Sequence, residues 1–83
     1  MDKSVVGVVA IVVDDRPHCV PAVQDILTEF GECIIGRMGV PHRPAGLHII
    51  SVVVYGVATQ LAALGDKLGQ IEGVRVTTSR VDL

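Results

Sequence analysis

The stretch LAALGDKLGQIEG at residues 61–73 is the clearest structural signal in this chain. Its apolar residues recur at i, i+3, i+7 and i+10, and VPAVQDILTEFG at residues 20–31 repeats that spacing. Such spacing places the apolar side chains on one face of an α-helix, and each stretch ends in a glycine that can cap the helix. The apolar positions are Val20, Val23, Leu27 and Phe30 in one stretch and Leu61, Leu64, Leu68 and Ile71 in the other.

Stretches rich in valine and isoleucine flank both helices, and this composition is typical of β-strands. The order β-α-β-β-α-β predicts an α+β domain of the ferredoxin-like type: a four-stranded antiparallel sheet with two helices on one face. Pro21 leaves open whether the first helix begins at Pro17 or one turn later. We place strands at 5–13, 32–38, 47–55 and 73–81, helices at 17–30 and 59–70 with Thr59 as a cap, and a hairpin loop at 39–46.

Composition and charge restrict the class of protein. The 83 residues are enough for one domain, 1–83, and 49% of them are hydrophobic although only 2% are aromatic. The net charge of −2 and seven scattered basic residues do not provide the clustered cations that nucleic-acid binding requires. No stretch reaches the roughly 20 apolar residues of a membrane helix, and Met1-Asp2-Lys3 leads directly into a strand. We therefore expect a cytoplasmic protein with no membrane or direct nucleic-acid partner.

The first and third predicted strands are apolar on both of their faces. Two helices cover only one face of a ferredoxin-like sheet, so a monomer would leave many of these side chains in water. Each Val or Ile left exposed forgoes about 1.5–3 kcal/mol of stabilisation that full burial would provide. We therefore expect a homo-oligomer, dimer or tetramer, that assembles through the sheet. The sequence does not decide which alternate set of residues faces outward, and the interface candidates are Val8, Val9, Ile49 and Val52.

Four segments of the chain resemble the family of iron-only hydrogenase system regulators. They are IIGRMGVPHR at 34–43, GLHIISVVV at 46–54, VVDDR at 12–16 and KLGQIEGV at 67–74. The resemblance covers nearly the whole chain, and its Gly-Arg-Met-Gly-x-Pro stretch is specific. It implies an ACT-like fold, similar to the C-terminal metal-binding domain of the nickel-responsive repressor, and a regulatory or sensor role without a stated mechanism.

The chain also departs from those relatives at two points. ACT domains that bind amino acids usually carry a glycine in the turn after the first strand, where backbone approaches the ligand. Here that turn, at residues 14–18, is DDRPH, without a glycine. The nickel-responsive repressor has an N-terminal ribbon-helix-helix, whereas this chain begins at its first sheet strand, so we expect any DNA-binding part to belong to a partner or not to exist.

Two kinds of small ligand are candidates for the hairpin region. Cys33, His42 and His48 could supply the soft and imidazole groups of a transition-metal site, which needs three or four converging ligands. Arg37 and Arg43 could instead bind a carboxylate or phosphate, with Gly39 and His42 completing an anion site. His18 and Cys19 are the remaining potential metal ligands of these types.

The sequence gives no support for catalysis. A nucleophilic Cys19 or Cys33 would need a nearby base, and His18, the only histidine adjacent to either in sequence, is expected to point away. The carboxylates Asp14 and Asp15 are better explained as a strand end and helix cap. We therefore expect a non-enzymatic regulatory or sensor domain with a metal or small anion at an oligomer interface. The alternative is an assembly domain that interacts with protein partners without any ligand.

Overall fold

A computed structural model describes residues 3–83, so the sequence interpretation of Met1 and Asp2 lies outside the described residues. The chain folds in the predicted order β-α-β-β-α-β, which confirms the ferredoxin-like class. The elements are β1 (Ser4–Asp14), α1 (Cys19–Glu29), β2 (Ile34–His42), a 3-10 turn (Arg43–Ala45), β3 (Leu47–Val57), α2 (Ala58–Gly69) and β4 (Val74–Asp82).

The four strands form one antiparallel sheet in the order β2-β3-β1-β4. β1 pairs with β3 along its whole length, from Ser4 opposite Val57 to Asp14 opposite Leu47. β2 and β4 are the two edges of the sheet. A shift of register between Ile34 and Gly36 marks a β-bulge in β2.

The hydrophobic core lies between the sheet and the two helices. Alternate side chains of the central strands point into it because successive residues of a strand face opposite sides. Val9 and Val52 are fully buried there, as are Val23 of α1 and Leu64 of α2. The core comprises Val5, Val9, Ile11, Val13, Cys19, Val23, Leu27, Cys33, Ile50, Val52, Val54, Leu61, Leu64, Leu68 and Val74.

Both helices begin at residues other than those predicted from the sequence. Helix α1 begins at Cys19, which places Pro21 in the first turn, where its missing N–H breaks no intrahelical bond. The expectation that Asp14 and Asp15 cap this helix was wrong, since the cap residue is His18 and no side chain bonds to it. Helix α2 begins at Ala58, and the cap is Val57, whose N–H donates to Gln60 Oε1 at 2.9 Å.

The β2–β3 hairpin is tighter than predicted, because β2 continues to His42. The chain reverses through the single 3-10 turn Arg43–Ala45, followed by Gly46 with φ 66°. This left-handed conformation favours glycine, which has no Cβ to clash. The predicted loop 39–46 is therefore half strand, and residues 39–42 become part of the sheet edge.

Candidate functional site

The face of the sheet opposite the helices is apolar and has no cover among residues 3–83. Val8 is 43% exposed on β1, Ile49 is 40% exposed on β3, and Met38 is 64% exposed on β2. Ile49 of β3 lies between two valines in the pairing register. Val40 of β2 is opposite it on one side, and Val12 of β1 is opposite it on the other. We call the following residues the open sheet face: Val6, Val8, Ala10, Val12, Met38, Val40, Ile49, Val53 and Tyr55.

Three residues of the fourth strand give this surface a polar border, which ends at the exposed Val81 opposite Val6. Arg75, Thr77 and Ser79 share the parity of the open sheet face through their pairing with β1. All three are exposed. An apolar centre beside a polar rim is the usual anatomy of a protein–protein interface.

The structure corrects half of the predicted interface set. Val8 and Ile49 point away from the helices and lie on the open sheet face. Val9 and Val52, which pair with each other across β1 and β3, are fully buried in the core. Including these two residues in the interface was wrong, because they share the opposite parity and contact the helices.

A second feature lies at the end of the sheet where the β2–β3 hairpin meets the segment after β1. His48 Nε2 lies 3.4 Å from Asp15 Oδ1, and the Asp15 N–H donates to the Gly46 carbonyl at 2.9 Å. A cleft of about 390 Å³ opens here, lined by Asp15, Pro41, Arg43, Leu47 and His48. We call it the hairpin cleft; it combines one guanidinium and one imidazole with one carboxylate.

The predicted metal ligands are not brought together within one chain. His42 and His48 lie on either side of the hairpin, whereas Cys33 precedes β2 at the other end of the sheet and its carbonyl accepts from the Tyr55 N–H. The length of β2 separates Cys33 from His42, a distance of about 30 Å. Across residues 3–83, no three His, Cys, Asp or Glu side chains are grouped so that they could hold a metal ion.

The predicted anion-binding residues are also divided between two places. Arg37 lies in the middle of β2 and donates to Gln24 Oε1 of α1 at 2.8 Å, and Gly39 faces open space. His42 and Arg43 are at the hairpin tip, about 20 Å from Arg37 along the strand. A single chain therefore does not bring the two arginines together on one anion. Of the two, only Arg43 lines the hairpin cleft.

Both cysteines are free and buried. Cys19 Sγ approaches the Glu72 carbonyl at 3.5 Å, and Cys33 Sγ approaches the Phe30 carbonyl at 3.3 Å. Burial is the main cause that raises the pKa of the Cys33 thiol, with a smaller contribution from the negative charge of Glu32. A raised pKa lowers the share of thiolate, the form in which a cysteine acts as a nucleophile or metal ligand, so Cys33 is poorly suited to either role.

Asp15 is the charged residue of the hairpin cleft that the sequence interpretation did not assign to this site. Its position could have been predicted from the fold, because β1 and β3 are neighbours in a ferredoxin-like sheet and run antiparallel. The residues just after β1 must then meet those at the start of β3, which include His48.

Neither helix in the described part of the chain has the length and apolar character that crossing a membrane requires.

Comparison with known families settles the family. A family model described as TM1266-like, iron-only hydrogenase system regulator, matches residues 5–78. The chain belongs to this TM1266-like family. The resemblance found in the hairpin and strand segments is therefore confirmed. None of the curated proteins compared with the chain matches it.

Solved structures agree with the fold. The structure of the uncharacterized protein TM1266 from Thermotoga maritima is 38% identical, covers 98% of this chain and 99% of its own, and superposes with a TM-score of 0.90. The ACT domain of a GTP pyrophosphokinase from Chlorobium tepidum is 19% identical, with 94% and 86% covered and a TM-score of 0.73. At that identity the second likeness shows the ACT-like fold alone.

A formyltetrahydrofolate deformylase from Pseudomonas putida KT2440 shares the fold over only part of its length. The identity is 16%, with a TM-score of 0.61, and the match covers 89% of this chain but 28% of the deformylase. This TM1266-like protein therefore has an ACT-like fold and belongs to a family described as regulators.

Proposed function

We propose that this TM1266-like protein is a non-catalytic regulatory domain that works as a homo-oligomer, with two copies joined through their open sheet faces. The single observation that carries the proposal is the apolar surface formed by β2, β3 and β1 on the side opposite the helices. Family membership supports the regulatory role, since the family is described as one of regulators.

The size of the open sheet face is suitable for such an interface. Each edge strand has nine residues, so four strands spaced about 4.8 Å apart cover roughly 600 Å² in plan. A standard interface buries about 800 Å² of accessible surface on each partner. The accessible surface of the open sheet face is larger than its projected area, because side chains protrude from the sheet. Two such faces can pack as aligned sheets with interdigitating valines and isoleucines.

A charge placed at the centre of the open sheet face tests the proposal. Val8→Glu should leave a single chain folded, because Val8 is 43% exposed, and should prevent association, because an unpaired carboxylate would be buried between two copies. We expect the wild type to be oligomeric at tens of micromolar by light scattering, and Val8→Glu to have a lower mass with an unchanged far-UV circular dichroism spectrum.

Two control variants separate assembly from folding. Val9→Glu places the same charge on the other side of β1, in the core, and should unfold the chain. Thr59→Glu places it on the exposed surface of α2 and should change neither mass nor fold. A monomeric wild type, or a Val8→Glu variant with unchanged mass, would show that the open sheet face is not the interface.

We also propose that the hairpin cleft receives a small anionic effector. Arg43 contributes a guanidinium and His48 an imidazole to the lining, and a guanidinium binds carboxylate or phosphate through two parallel hydrogen bonds. Phosphate and citrate can be titrated while amide shifts are followed by NMR. Shifts centred on residues 41–48 that disappear in Arg43→Ala and persist in Arg37→Ala would support the site. Without such shifts, the alternative of an assembly domain that takes no ligand is favoured.

A further inference from the structure

The hairpin cleft contains a carboxylate as well as a guanidinium, and this combination limits which anions can bind there. Arg43 supplies the guanidinium, and Asp15 lines the same cleft of about 390 Å³. A bare anion is attracted to the first group and repelled by the second, because like charges a few ångströms apart repel. An anion that binds beside Arg43 must therefore form a favourable contact with the Asp15 carboxylate.

Backbone hydrogen bonds hold Asp15 next to the turn that carries Arg43. The Asp15 N–H donates to the Gly46 carbonyl at 2.9 Å, and the Gly46 N–H donates to the Arg43 carbonyl at 3.0 Å. These two hydrogen bonds follow one another across the end of the sheet and join the segment after β1 to the 3-10 turn. The backbone of Asp15 is thus fixed beside the cleft, and its carboxylate belongs to any site that includes Arg43.

Neighbouring side chains leave the charges of both residues available to a ligand. Arg16 Nη2 donates to Asp14 Oδ2 at 3.1 Å, so these two side chains offset each other's charge. Asp15 Oδ1 lies 3.4 Å from His48 Nε2. Among residues 3–83, the ion pairs do not include Arg43, and the side-chain hydrogen bonds do not include Asp15 Oδ2.

The chemistry of a carboxylate defines which anions it tolerates. An ionised carboxylate only accepts hydrogen bonds, so an anion must bring its own hydrogen atom to the contact. Hydrogen phosphate carries one O–H, and a hydroxy acid such as citrate carries an O–H beside its carboxylates. Sulfate has a similar shape to hydrogen phosphate and the same charge, but it has no hydrogen atom. Tricarballylate differs from citrate by the loss of that hydroxyl.

We infer that the hairpin cleft selects a small oxyanion that carries its own hydroxyl hydrogen. Arg43 binds the anionic oxygens, and Asp15 accepts the hydrogen bond from the hydroxyl. Asp15 is then the residue that determines specificity, since it favours an anion with an O–H and repels one without. The assignment rests on the proposed function of the cleft and adds the chemical class of its ligand. The volume is near the lower end of the range of about 300–1,000 Å³ for small-molecule sites, which suits a small anion.

Two matched pairs of anions test this selectivity. Phosphate is compared with sulfate, and citrate with tricarballylate, at one ionic strength in neutral to slightly alkaline buffer, because salt screens exposed charges. Binding is followed by the NMR amide shifts of residues 41–48. We expect the hydroxyl-bearing member of at least one pair to bind about tenfold more tightly, as for one hydrogen bond to a charged group. A preference in the first pair alone indicates a phosphate-type ligand, and one in the second pair alone indicates a hydroxy acid.

A pair of variants tests the role of Asp15. Asp15→Asn removes the charge and keeps the size of the side chain, so it should abolish the preference by strengthening the binding of sulfate or tricarballylate. Asp14→Asn is the matched control, because it changes the net charge equally at a neighbouring carboxylate that is bonded to Arg16. We expect it to keep the wild-type preference. An equal effect of both variants would mean that net charge sets the preference and would overturn the inference.

The titrations also distinguish the selectivity from the anion site itself. Equal binding of both members of each pair, with loss of binding in Arg43→Ala, would overturn the selectivity and leave the proposed effector site standing. No binding of any of these anions would refute the effector site, and the selectivity with it.

Discussion

The contact between Gly7 and Leu61 provides a quantitative test of the core. Gly7 lies on the helix-facing side of β1, and a Cβ at this position would collide with the terminal methyl groups of Leu61, which is 3% exposed. Gly7→Ala should therefore overpack the core and lower the free energy of unfolding by about 1–3 kcal/mol. Leu61→Ala should lower it by about 2–5 kcal/mol through the cavity that it leaves.

The double variant distinguishes a steric contact from two independent losses. The methyl group that Gly7→Ala adds would enter the space that Leu61→Ala opens, so the combined loss should be smaller than the sum by about 0.5–3 kcal/mol. Gly39→Ala is the matched control, because nothing lies within 4 Å of a Cβ there and the φ of Gly39 is not positive. We expect it to change the free energy of unfolding by less than about 1 kcal/mol.

Urea unfolding followed by far-UV circular dichroism measures the free energies of unfolding of the wild type and the four variants. The protein concentration must be the same throughout, because association makes apparent stability depend on concentration. Strict additivity of Gly7→Ala and Leu61→Ala, or a loss in Gly39→Ala equal to that in Gly7→Ala, would refute the argument that α2 packs on β1 at this glycine.

Three further results are expected. Leu27→Ala should lower the free energy of unfolding by about 2–5 kcal/mol in urea titrations, since Leu27 is 1% exposed, and a loss below about 0.5 kcal/mol would mean the helix face is misassigned. Burial raises the pKa of the Cys33 thiol in the folded protein above its value in the unfolded chain. The stability that comes from this pKa difference is therefore complete at neutral pH and is lost as the pH rises through the range in which the thiol ionises. Cys33→Ala should remove that part of the pH dependence of the urea midpoint. Duplex DNA should show no tight, salt-sensitive gel shift, because the net charge is −2.

Local patterns were sufficient to predict the elements, but they did not predict the start of α2 or the end of β2 correctly. The apolar spacing in residues 61–73 predicted the face of α2 that is buried, because a 3.6-residue period leaves one solution. The cap of the same helix was assigned to Thr59, but the Gln60 side chain accepts from Val57 instead. The extension of β2 to His42 was missed because Pro41 and its neighbours are typical of loops, whereas pairing with β3 keeps them extended.

The candidate sites show a different limit of sequence reasoning. Cys33, His42 and His48 are near one another in sequence, but a strand rises about 3.3 Å per residue, so the hairpin holds the cysteine and the histidines at opposite ends. Asp15 is far from His48 in sequence and contacts it in space, since β1 and β3 are neighbours.

The sequence by itself determined the order of strands and helices, the buried helix faces and the excess of apolar strand residues, because each of these follows from local periodicity and composition. Tertiary structure alone decided that Val8 faces outward and Val9 inward. A strand apolar on both sides carries no parity signal, and a shift of one residue exchanges its two faces. That choice is fixed by which valines contact the leucines of α1 and α2, a contact between elements distant in the chain, and it defines the surface on which the proposed assembly depends.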